Sequence, residues 1–249
     1  MNRNCNSAPA PPVDILRDAS LFLDFDGTLV DIGATPDAVV VTAELRRLVE
    51  RLQAQLDGRV AIITGRAAAH VEQLFCPLRV LVGGSHGLEM PDEGECQQGR
   101  PDSLDSIIAE WRELERAYPG VLVEEKPLGV ALHYRQAPDA EQACRAATEL
   151  AAKRSGLEVQ AGKMVFELKP PGGDKGAALR SLMARPPFLG SRPIFLGDDL
   201  TDEMGFAAAR DLGGAGVLIG EPRATAAVYR LGSVAEVLDW LGRASEAAG

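Results

Sequence analysis

The chain alternates between short apolar runs and amphipathic stretches, and this alternation predicts the first part of its fold. Apolar runs that end in polar residues, as buried parallel strands do, are found at 21–24, 60–64, 80–82 and 193–196. Between the first two, apolar residues recur at helical spacing from Leu45 to Leu56, and Thr42 can cap this helix. A second helix follows Arg66 and reaches about Phe75. Strands that alternate with helices predict a parallel sheet with right-handed crossovers.

The pattern changes after Met90, which indicates a second domain. Residues 91–100 are rich in Gly, Asp and Glu and indicate a linker or a hairpin. Helical periodicity covers 103–118 and 140–155. Two short strands follow each of these helices, at 121–125, 130–135, 157–160 and 164–168. An αββ order that occurs twice with short hairpins predicts an antiparallel sheet with helices on one face.

The α/β pattern returns at 170–173, so the second domain is inserted into the first. A helix begins near Asp174 and Lys175, and Ser233 with Glu236 is typical of a capping box at the start of a last helix. We therefore predict a disordered leader, a core domain in two segments and an inserted α+β domain, at 1–12, at 13–90 and 170–249, and at 91–169.

The bulk composition excludes some classes of partner. The 249 residues are 46% hydrophobic and 25% charged, with a formal net charge of −10, so we expect neither a nucleic acid nor an anionic membrane as the main partner. No stretch approaches the roughly 18 apolar residues of a membrane span, and residues 1–12 lack the apolar segment of a signal peptide. None of the four cysteines lies in a CxxC pair: Cys5, Cys76, Cys96 and Cys144. We predict a reduced, cytoplasmic monomer.

Two carboxylates end the first predicted strand. Asp24 and Asp26 are spaced i, i+2, so a strand directs both to one face, at the carboxyl end where open α/β sheets bind ligands. Such a pair is costly unless a cation or a shared proton relieves the repulsion. Gly27 and Thr28 follow, which permits a tight turn that aims backbone N–H groups at a phosphate. This DxDGT sequence resembles the first motif of the haloacid dehalogenase (HAD) phosphohydrolases.

That resemblance gives the two carboxylates roles. Asp24 is the candidate nucleophile, because a carboxylate can attack phosphorus and form an aspartyl-phosphate. Asp26 is the candidate general acid and base, which protonates the leaving sugar oxygen and then takes a proton from water. Thr64, at the end of the second strand, is either a helix cap or a donor to a phosphoryl oxygen, and its place after DxDGT resembles the second HAD motif.

Two further motifs complete the HAD order. Lys175 at a helix N-terminus is disfavoured by the helix dipole, so an acidic or phosphate cluster must compensate. Residues 198–203 contain four acids in six positions and need a counter-ion. Mg²⁺ prefers a few carboxylates with waters and substrate phosphate. The expected ligands are the side chains of Asp24 and Asp198 and the backbone carbonyl of Asp26, with Asp202 supporting them from behind.

The four motifs span almost the whole chain, and the resemblance implies a Rossmann-like core with an inserted α/β cap. Residues 84–89, 125–126, 133–135, 162–163 and 197–203 together resemble trehalose-6-phosphate phosphatases. Membership of that family implies Mg²⁺-dependent hydrolysis of trehalose 6-phosphate, a small sugar phosphate. By position, the expected substrate-binding residues are Gly65, Arg66, His86, Lys126, His133, Arg135, Lys163 and Glu167.

Other functions stay open at this point. One alternative is another HAD enzyme of sugar phosphates: a phosphatase for mannosyl- or glucosyl-3-phosphoglycerate or for sucrose phosphate, or a phosphohexomutase. A non-catalytic sugar-phosphate sensor is the third. The sensor is disfavoured because a degenerate site would have lost at least one of the five motif residues, and all are present: Asp24, Asp26, Thr64, Lys175 and Asp198.

Overall fold

The computed structural model describes residues 8–90 and 99–247. Within that part of the chain the helices are α1 Ala43–Gln55, α2 Ala68–Phe75, α3 Leu104–Ala117, α4 Glu141–Ser155, α5 Lys175–Met183, α6 Glu203–Asp211 and α7 Val234–Ala247. The strands are β1 Ala19–Leu23, β2 Val60–Ile63, β3 Leu81–Gly83, β4 Leu122–Glu125, β5 Val130–His133, β6 Glu158–Gly162, β7 Val165–Lys169, β8 Arg192–Gly197, β9 Ala215–Ile219 and β10 Tyr229–Leu231.

The described residues divide into two compact units. The first contains 8–32, 39–90 and 174–247, and the second contains 33–38 and 99–173. The short segment 33–38 belongs to the second unit, where the Gln136 side chain donates to the Ala34 carbonyl at 3.2 Å. None of the described helices combines the length and the apolar character that crossing a membrane requires.

A six-stranded parallel sheet forms the centre of the first unit, in the order β10-β9-β8-β1-β2-β3. Alternate residues of β1 enter different cores. Leu21 and Leu23 pack in a cluster with residues of α1, α2 and α7, whereas Phe22 packs on the other face with residues of α5 and α6. Each fully buried side chain of this kind contributes roughly 1.5–3 kcal/mol. This is the predicted α/β class.

The functional motifs meet at one edge of this sheet because their strands are neighbours. β1 pairs with β8 on one side and with β2 on the other, all in parallel. Asp24, Asp198 and Thr64 are the residues that directly follow these three strands. They therefore lie side by side at the carboxyl edge of the sheet, where the order of strands reverses and open α/β sheets bind ligands.

The second unit has the predicted αββ-αββ order and an antiparallel sheet, β4-β5-β7-β6. Its apolar face packs on α3 and α4 through Val123, Leu132 and Phe166, together with Trp111 of α3. Tyr134 stacks on Phe166 with ring centroids 5.2 Å apart. The residues that alternate with this apolar set on β4, β5 and β7 form a polar face, which includes Glu124, His133 and Glu167.

Several sequence-based boundaries need correction. The predicted strand 130–135 ends at His133, because Tyr134 turns into the core and Arg135 lies beyond the strand. β9 and β10 were not predicted: Gly216 interrupts one apolar run, and the other has only three residues. The capping box at α7 is partial, since Ser233 Oγ accepts the Glu236 N–H at 3.3 Å but the Glu236 carboxylate accepts from Gly232 at 2.7 Å.

The predicted disordered leader is wrong for residues 8–12. Pro11 is buried, and its carbonyl accepts a hydrogen bond of 2.8 Å from the indole N–H of buried Trp240. The Pro9 carbonyl accepts from the Arg230 N–H at 3.0 Å. Residues 1–7 and the predicted linker or hairpin at 91–98, with Cys5 and Cys96, lie outside the described residues. Cys76 and Cys144 are free thiols.

Trp240 is expected to stabilise the first unit through its bond to Pro11. Trp240→Phe removes the indole donor and leaves a buried carbonyl unpaired, which costs about 1–3 kcal/mol of the free energy of unfolding. Denaturant unfolding monitored by circular dichroism measures this change. Trp111→Phe is the size-matched control in the second core. Equal stability of Trp240→Phe and wild type would contradict an anchoring role for residues 8–12.

Candidate active site

The centre of the site is a buried lysine held between two carboxylates. Lys175 Nζ lies 2.7 Å from Asp24 Oδ1 and 2.6 Å from Asp202 Oδ1, and all three residues are buried. Asp174 caps α5 by accepting the Ala177 N–H at 2.8 Å, which fixes where the helix begins and so where Lys175 stands. Thr28 donates to the other oxygen of Asp24 at 3.4 Å. The carboxylates of Asp24 and Asp202 therefore offset the unfavourable interaction of the Lys175 ammonium with the helix dipole.

Asp202 organises the loop after β8. Its second oxygen accepts the backbone N–H groups of Asp198 and Asp199, both at 2.9 Å. Gly197 allows this approach, because a Cβ at that position would stand 2.2 Å from the Asp202 carboxyl carbon. With Lys175 on one oxygen and two N–H groups on the other, Asp202 accepts three hydrogen bonds. It therefore fixes the loop that presents Asp198.

Asp198 lies against the turn that follows Asp24. Gly27 has a φ of +79°, and a Cβ there would stand 2.2 Å from Asp198 Oδ2. A side chain at position 27 would be strained and would also displace the Asp198 carboxylate. The glycine of the DxDGT motif is thus required by the turn and by the close approach of the neighbouring strand's acid.

Burial and neighbouring charges shift the pKa values of this cluster. Burial raises the pKa of the Asp24 carboxyl well above its usual range; Lys175 opposes the rise, and the carboxylates of Asp202 and Asp198 add to it. Burial alone would lower the pKa of the Lys175 ammonium, but Asp202 and Asp24 raise it above its usual value. Lys175 is therefore charged at neutral pH and offsets part of the negative charge of the acids that it contacts.

The cluster fits a hard divalent cation. Oxygens of Asp24, Asp198 and Asp202 lie within 4.8 Å of one another. Carboxylate oxygens without His or Cys are the donor set that suits Mg²⁺. Asp24 and Asp198 are the better candidates to bind it, because Asp202 already accepts three hydrogen bonds whereas Asp24 accepts two, one of them long at 3.4 Å.

Asp26 takes part in a different contact. Its two oxygens accept from Arg66 Nε at 2.6 Å and from Nη2 at 2.8 Å, a bidentate ion pair. The Asp26 carboxylate does not belong to the three-carboxylate group found among the described residues. Arg66 was expected to bind substrate, and the structure places its guanidinium against Asp26.

Thr64 and the following turn lie beside this pair. The Thr64 hydroxyl accepts the Arg66 N–H at 3.1 Å, and Thr64 is buried; it does not cap α2, whose N-cap residue is Ala67. The His86 ring packs over Gly65, where a Cβ would stand 2.6 Å from the ring. His86 itself has a φ of +57° and is buried in a 3-10 turn. Thr64, Gly65, Arg66 and His86 thus form one contiguous group in the first unit.

The expected sugar-binding residues of the second unit gather on the polar face of its sheet. Lys126 forms an ion pair with Glu167, and both side chains are largely buried. His133 Nε2 lies 2.7 Å from Glu124 Oε2. Burial opposes the ionisation of Glu124, yet His133 and Lys126 hold the pKa of this carboxyl below its usual range. Arg135 and Lys163 meet at the hairpin between β6 and β7, where Arg135 donates to the Lys163 carbonyl at 2.9 Å.

Sequence reasoning missed several residues that shape the sites. Glu124 carries a signal that was available, since it lies two positions before Lys126, near the end of β4. Glu89 binds the Ala68 N–H at 3.2 Å and so caps α2 from outside it. Arg223 donates to the Asp199 carbonyl at 2.7 Å and forms an ion pair with Glu203. No local pattern identifies such long-range partners.

Comparison with known proteins agrees with this geometry. The sequence model of the trehalose-phosphatase family matches residues 22–233. A probable trehalose-phosphate phosphatase of Sinorhizobium fredii is 39% identical over 83% of this chain and 80% of its own length. The trehalose-6-phosphate phosphatase of Escherichia coli is 40% identical over 88% and 84%. The C-terminal domain of a C. albicans trehalose-6-phosphate phosphatase superposes with a TM-score of 0.81 at 25% identity, covering 96% and 98% of the two chains.

A parallel sheet with DxDGT after one strand and an acidic loop after its neighbour, together with an inserted α+β unit, defines the HAD phosphohydrolase fold. Within that superfamily, the chain belongs to the trehalose-phosphatase family.

Lys175 is expected to be the main source of stability at the site. Lys175→Met leaves Asp24 and Asp202 buried without their cation and should lower the free energy of unfolding by about 3–5 kcal/mol at pH 7 without added metal. Denaturant unfolding measures the loss. Adding Asp202→Asn should recover part of it by removing one of the unpaired charges.

Lys153→Met, at an exposed position of α4, controls for the loss of a lysine as such. An unchanged unfolding free energy in Lys175→Met would show that the acids do not depend on this ammonium.

Proposed function

We propose that this chain hydrolyses trehalose 6-phosphate to trehalose and phosphate through an aspartyl-phosphate on Asp24. The observation that carries the proposal is the burial of Asp24 against Lys175 at the carboxyl edge of the sheet, with Asp198 directly after the adjacent strand β8. Membership of the trehalose-phosphatase family supports the choice of substrate. A function in trehalose biosynthesis follows from this reaction.

The first half-reaction transfers the phosphoryl group to the protein. An oxygen of Asp24 bonds to phosphorus while the bond between phosphorus and the sugar oxygen breaks. Asp26 gives a proton to the departing oxygen, so trehalose leaves as a neutral alcohol. Lys175 fixes Asp24 through Oδ1, and the Thr28 hydroxyl contacts the other oxygen. These contacts hold the nucleophile in one orientation.

The second half-reaction returns the protein to its starting state. Water attacks the phosphorus and transfers a proton to Asp26, while the bond between phosphorus and the Asp24 oxygen breaks. Orthophosphate leaves and the Asp24 carboxylate is restored. The buried Lys175 ammonium stays beside the reacting oxygens in both steps and offsets their negative charge.

Mg²⁺ would be held by Asp24, Asp198 and the backbone carbonyl of Asp26. When bound, it neutralises the oxygens of the phosphoryl group. The residues present fit this ion, because oxygens of three buried carboxylates lie within 4.8 Å of one another and hard oxygen donors suit Mg²⁺. Asp202 serves as a positioning residue that fixes the backbone at Asp198.

Recognition of the sugar is assigned to the inserted domain, which we place at 91–169. Its polar face carries an ion pair, Lys126 with Glu167, and a hydrogen-bonded pair, His133 with Glu124, and both can exchange partners with sugar hydroxyls. Arg135 and Lys163 extend this face at the hairpin. A neutral disaccharide is best held by such groups, because each unpaired buried polar group costs roughly 1–3 kcal/mol. The cytoplasmic location and the monomeric state stay predictions.

A screen of sugar phosphates tests the substrate directly. The purified protein with Mg²⁺ should release phosphate from trehalose 6-phosphate faster than from sucrose phosphate or from mannosyl- or glucosyl-3-phosphoglycerate. Asp24→Asn should be inactive on all of them with an unchanged circular dichroism spectrum, because an amide is a far weaker nucleophile than a carboxylate. A preference for another ester contradicts the substrate assignment. Turnover by folded Asp24→Asn contradicts the role of Asp24.

Removal of the metal should abolish activity. EDTA treatment leaves the acidic cluster without its cation, and added Mg²⁺ should restore phosphate release. Elemental analysis of the treated protein is the control for complete removal. Full activity in a protein shown to be free of metal would refute the Mg²⁺ assignment.

Substitutions on the polar face should separate sugar recognition from chemistry. Glu167→Ala and Lys126→Ala should lose most activity on trehalose 6-phosphate and far less on p-nitrophenyl phosphate, which has no sugar to hold. Measurement of kcat/KM on both esters gives the ratio. Glu158→Ala, at an exposed position of the same sheet, is the matched control. Equal losses on both esters would mean that these residues serve folding or the chemical step.

A further inference from the structure

Arg66 fixes the orientation of the Asp26 carboxylate. Its Nε and Nη2 approach the two Asp26 oxygens at 2.6 and 2.8 Å, so the planar guanidinium sets both the position and the plane of the carboxylate. The Arg66 side chain is 10% exposed and the Asp26 side chain 31% exposed. The pair therefore joins a well-buried cation to a carboxylate that water and substrate can reach.

Arg66 is itself fixed from two other directions. Its Nη1 lies 3.2 Å from His70 Nε2, on the first turn of α2, and its Cζ lies 5.5 Å from the centre of the Phe25 ring. Arginine has donors and no acceptor, so in this contact His70 Nε2 accepts. The guanidinium is thus surrounded by His70, Phe25 and Asp26. A shift of His70 or Phe25 would move the two N–H donors that orient Asp26.

We propose that Arg66, braced by His70, is a positioning residue for Asp26, and that His70 acts on the reaction through Arg66. This inference rests on the proposed function, since it presumes that Asp26 passes a proton to the leaving oxygen. It differs from the expectation that Arg66 binds substrate: a residue that binds the phosphoryl group affects every ester, whereas one that orients Asp26 affects the esters that need its proton.

Two small aryl esters separate these roles. Phenolate is a stronger base than p-nitrophenolate, so phenyl phosphate depends more on protonation of its leaving oxygen. Both esters lack a sugar, so the polar face of the second unit does not enter the comparison. The value of kcat/KM reports the step in which the leaving group departs. The informative quantity is the ratio of kcat/KM for the two esters.

Arg66→Lys keeps the positive charge but loses the planar pair of N–H donors. His70→Ala removes the contact that supports the Arg66 guanidinium. Because misplacement of a reacting group by about 1 Å can cost about 100-fold, Arg66→Lys should lose about 10- to 100-fold on phenyl phosphate. The loss on p-nitrophenyl phosphate should be several times smaller. His70→Ala should shift the ratio in the same direction by a smaller factor. In an Asp26→Asn background, Arg66→Lys should add no further change in the ratio.

The controls are exposed residues of the first unit. Arg180→Lys alters an exposed arginine that pairs with Asp211, and Glu72→Ala alters an exposed residue of α2. Both should leave the ratio unchanged. Equal losses of Arg66→Lys on the two esters, or an effect that persists in Asp26→Asn, would overturn the proposal and favour direct phosphoryl binding. An unchanged ratio in His70→Ala would show that His70 does not act on the reaction through Arg66. The proposed function is tested separately on the same preparation: a wild-type protein that releases no phosphate from trehalose 6-phosphate contradicts that function and this inference with it.

Discussion

The site depends on one buried ion pair network, in which Lys175 holds Asp24 on one side and Asp202 on the other. A buried ammonium and a buried carboxylate are each costly alone, so the three residues stabilise one another only if their positions are accurate. That accuracy comes from the parallel sheet, which places β1 beside β8, and from the Asp174 cap that sets the start of α5. The network therefore links the nucleophile, the acidic loop and the helix.

The same network gives the site a buried carboxylate cluster that suits a divalent cation. Oxygens of Asp24, Asp198 and Asp202 lie within 4.8 Å of one another, and burial keeps water from screening their mutual repulsion. A bound divalent cation would offset part of this charge, and Asp24 and Asp198 are the residues that would hold it. The carboxylate cluster that suits the reaction therefore lowers the stability of the protein when no ligand is bound.

Much of the fold could be predicted because strong local patterns agree with it. The apolar runs that end at Asp24 and Thr64 lie on β1 and β2, and Thr42 caps α1 through the Leu45 N–H. The αββ repeat was readable from periodicity. β9 could not be predicted because Gly216 interrupts its apolar pattern. The order of residues 8–12 could not be predicted because no local pattern indicates that Trp240 donates to the Pro11 carbonyl.

The candidate site was partly predictable for a related reason. Motif order identified Asp24, Lys175 and Asp198, and adjacent parallel strands bring them together. The partner of Asp26 could not be read from the sequence, because Arg66 is 40 positions away and its guanidinium could equally face a ligand. The same holds for Glu203 with Arg223 and for Glu124 with His133, which are paired only by the folded chain.

The most direct test of this account is to trap the covalent intermediate. The wild-type protein is quenched during turnover of trehalose 6-phosphate and treated with borohydride, which reduces an acyl phosphate to an alcohol. Peptide mass spectrometry then locates the reduced residue. The account predicts reduction at Asp24 and at no other carboxylate of the site, and none without substrate. Reduction at Asp26, Asp198 or Asp202, or none at Asp24 under rapid turnover, would contradict it.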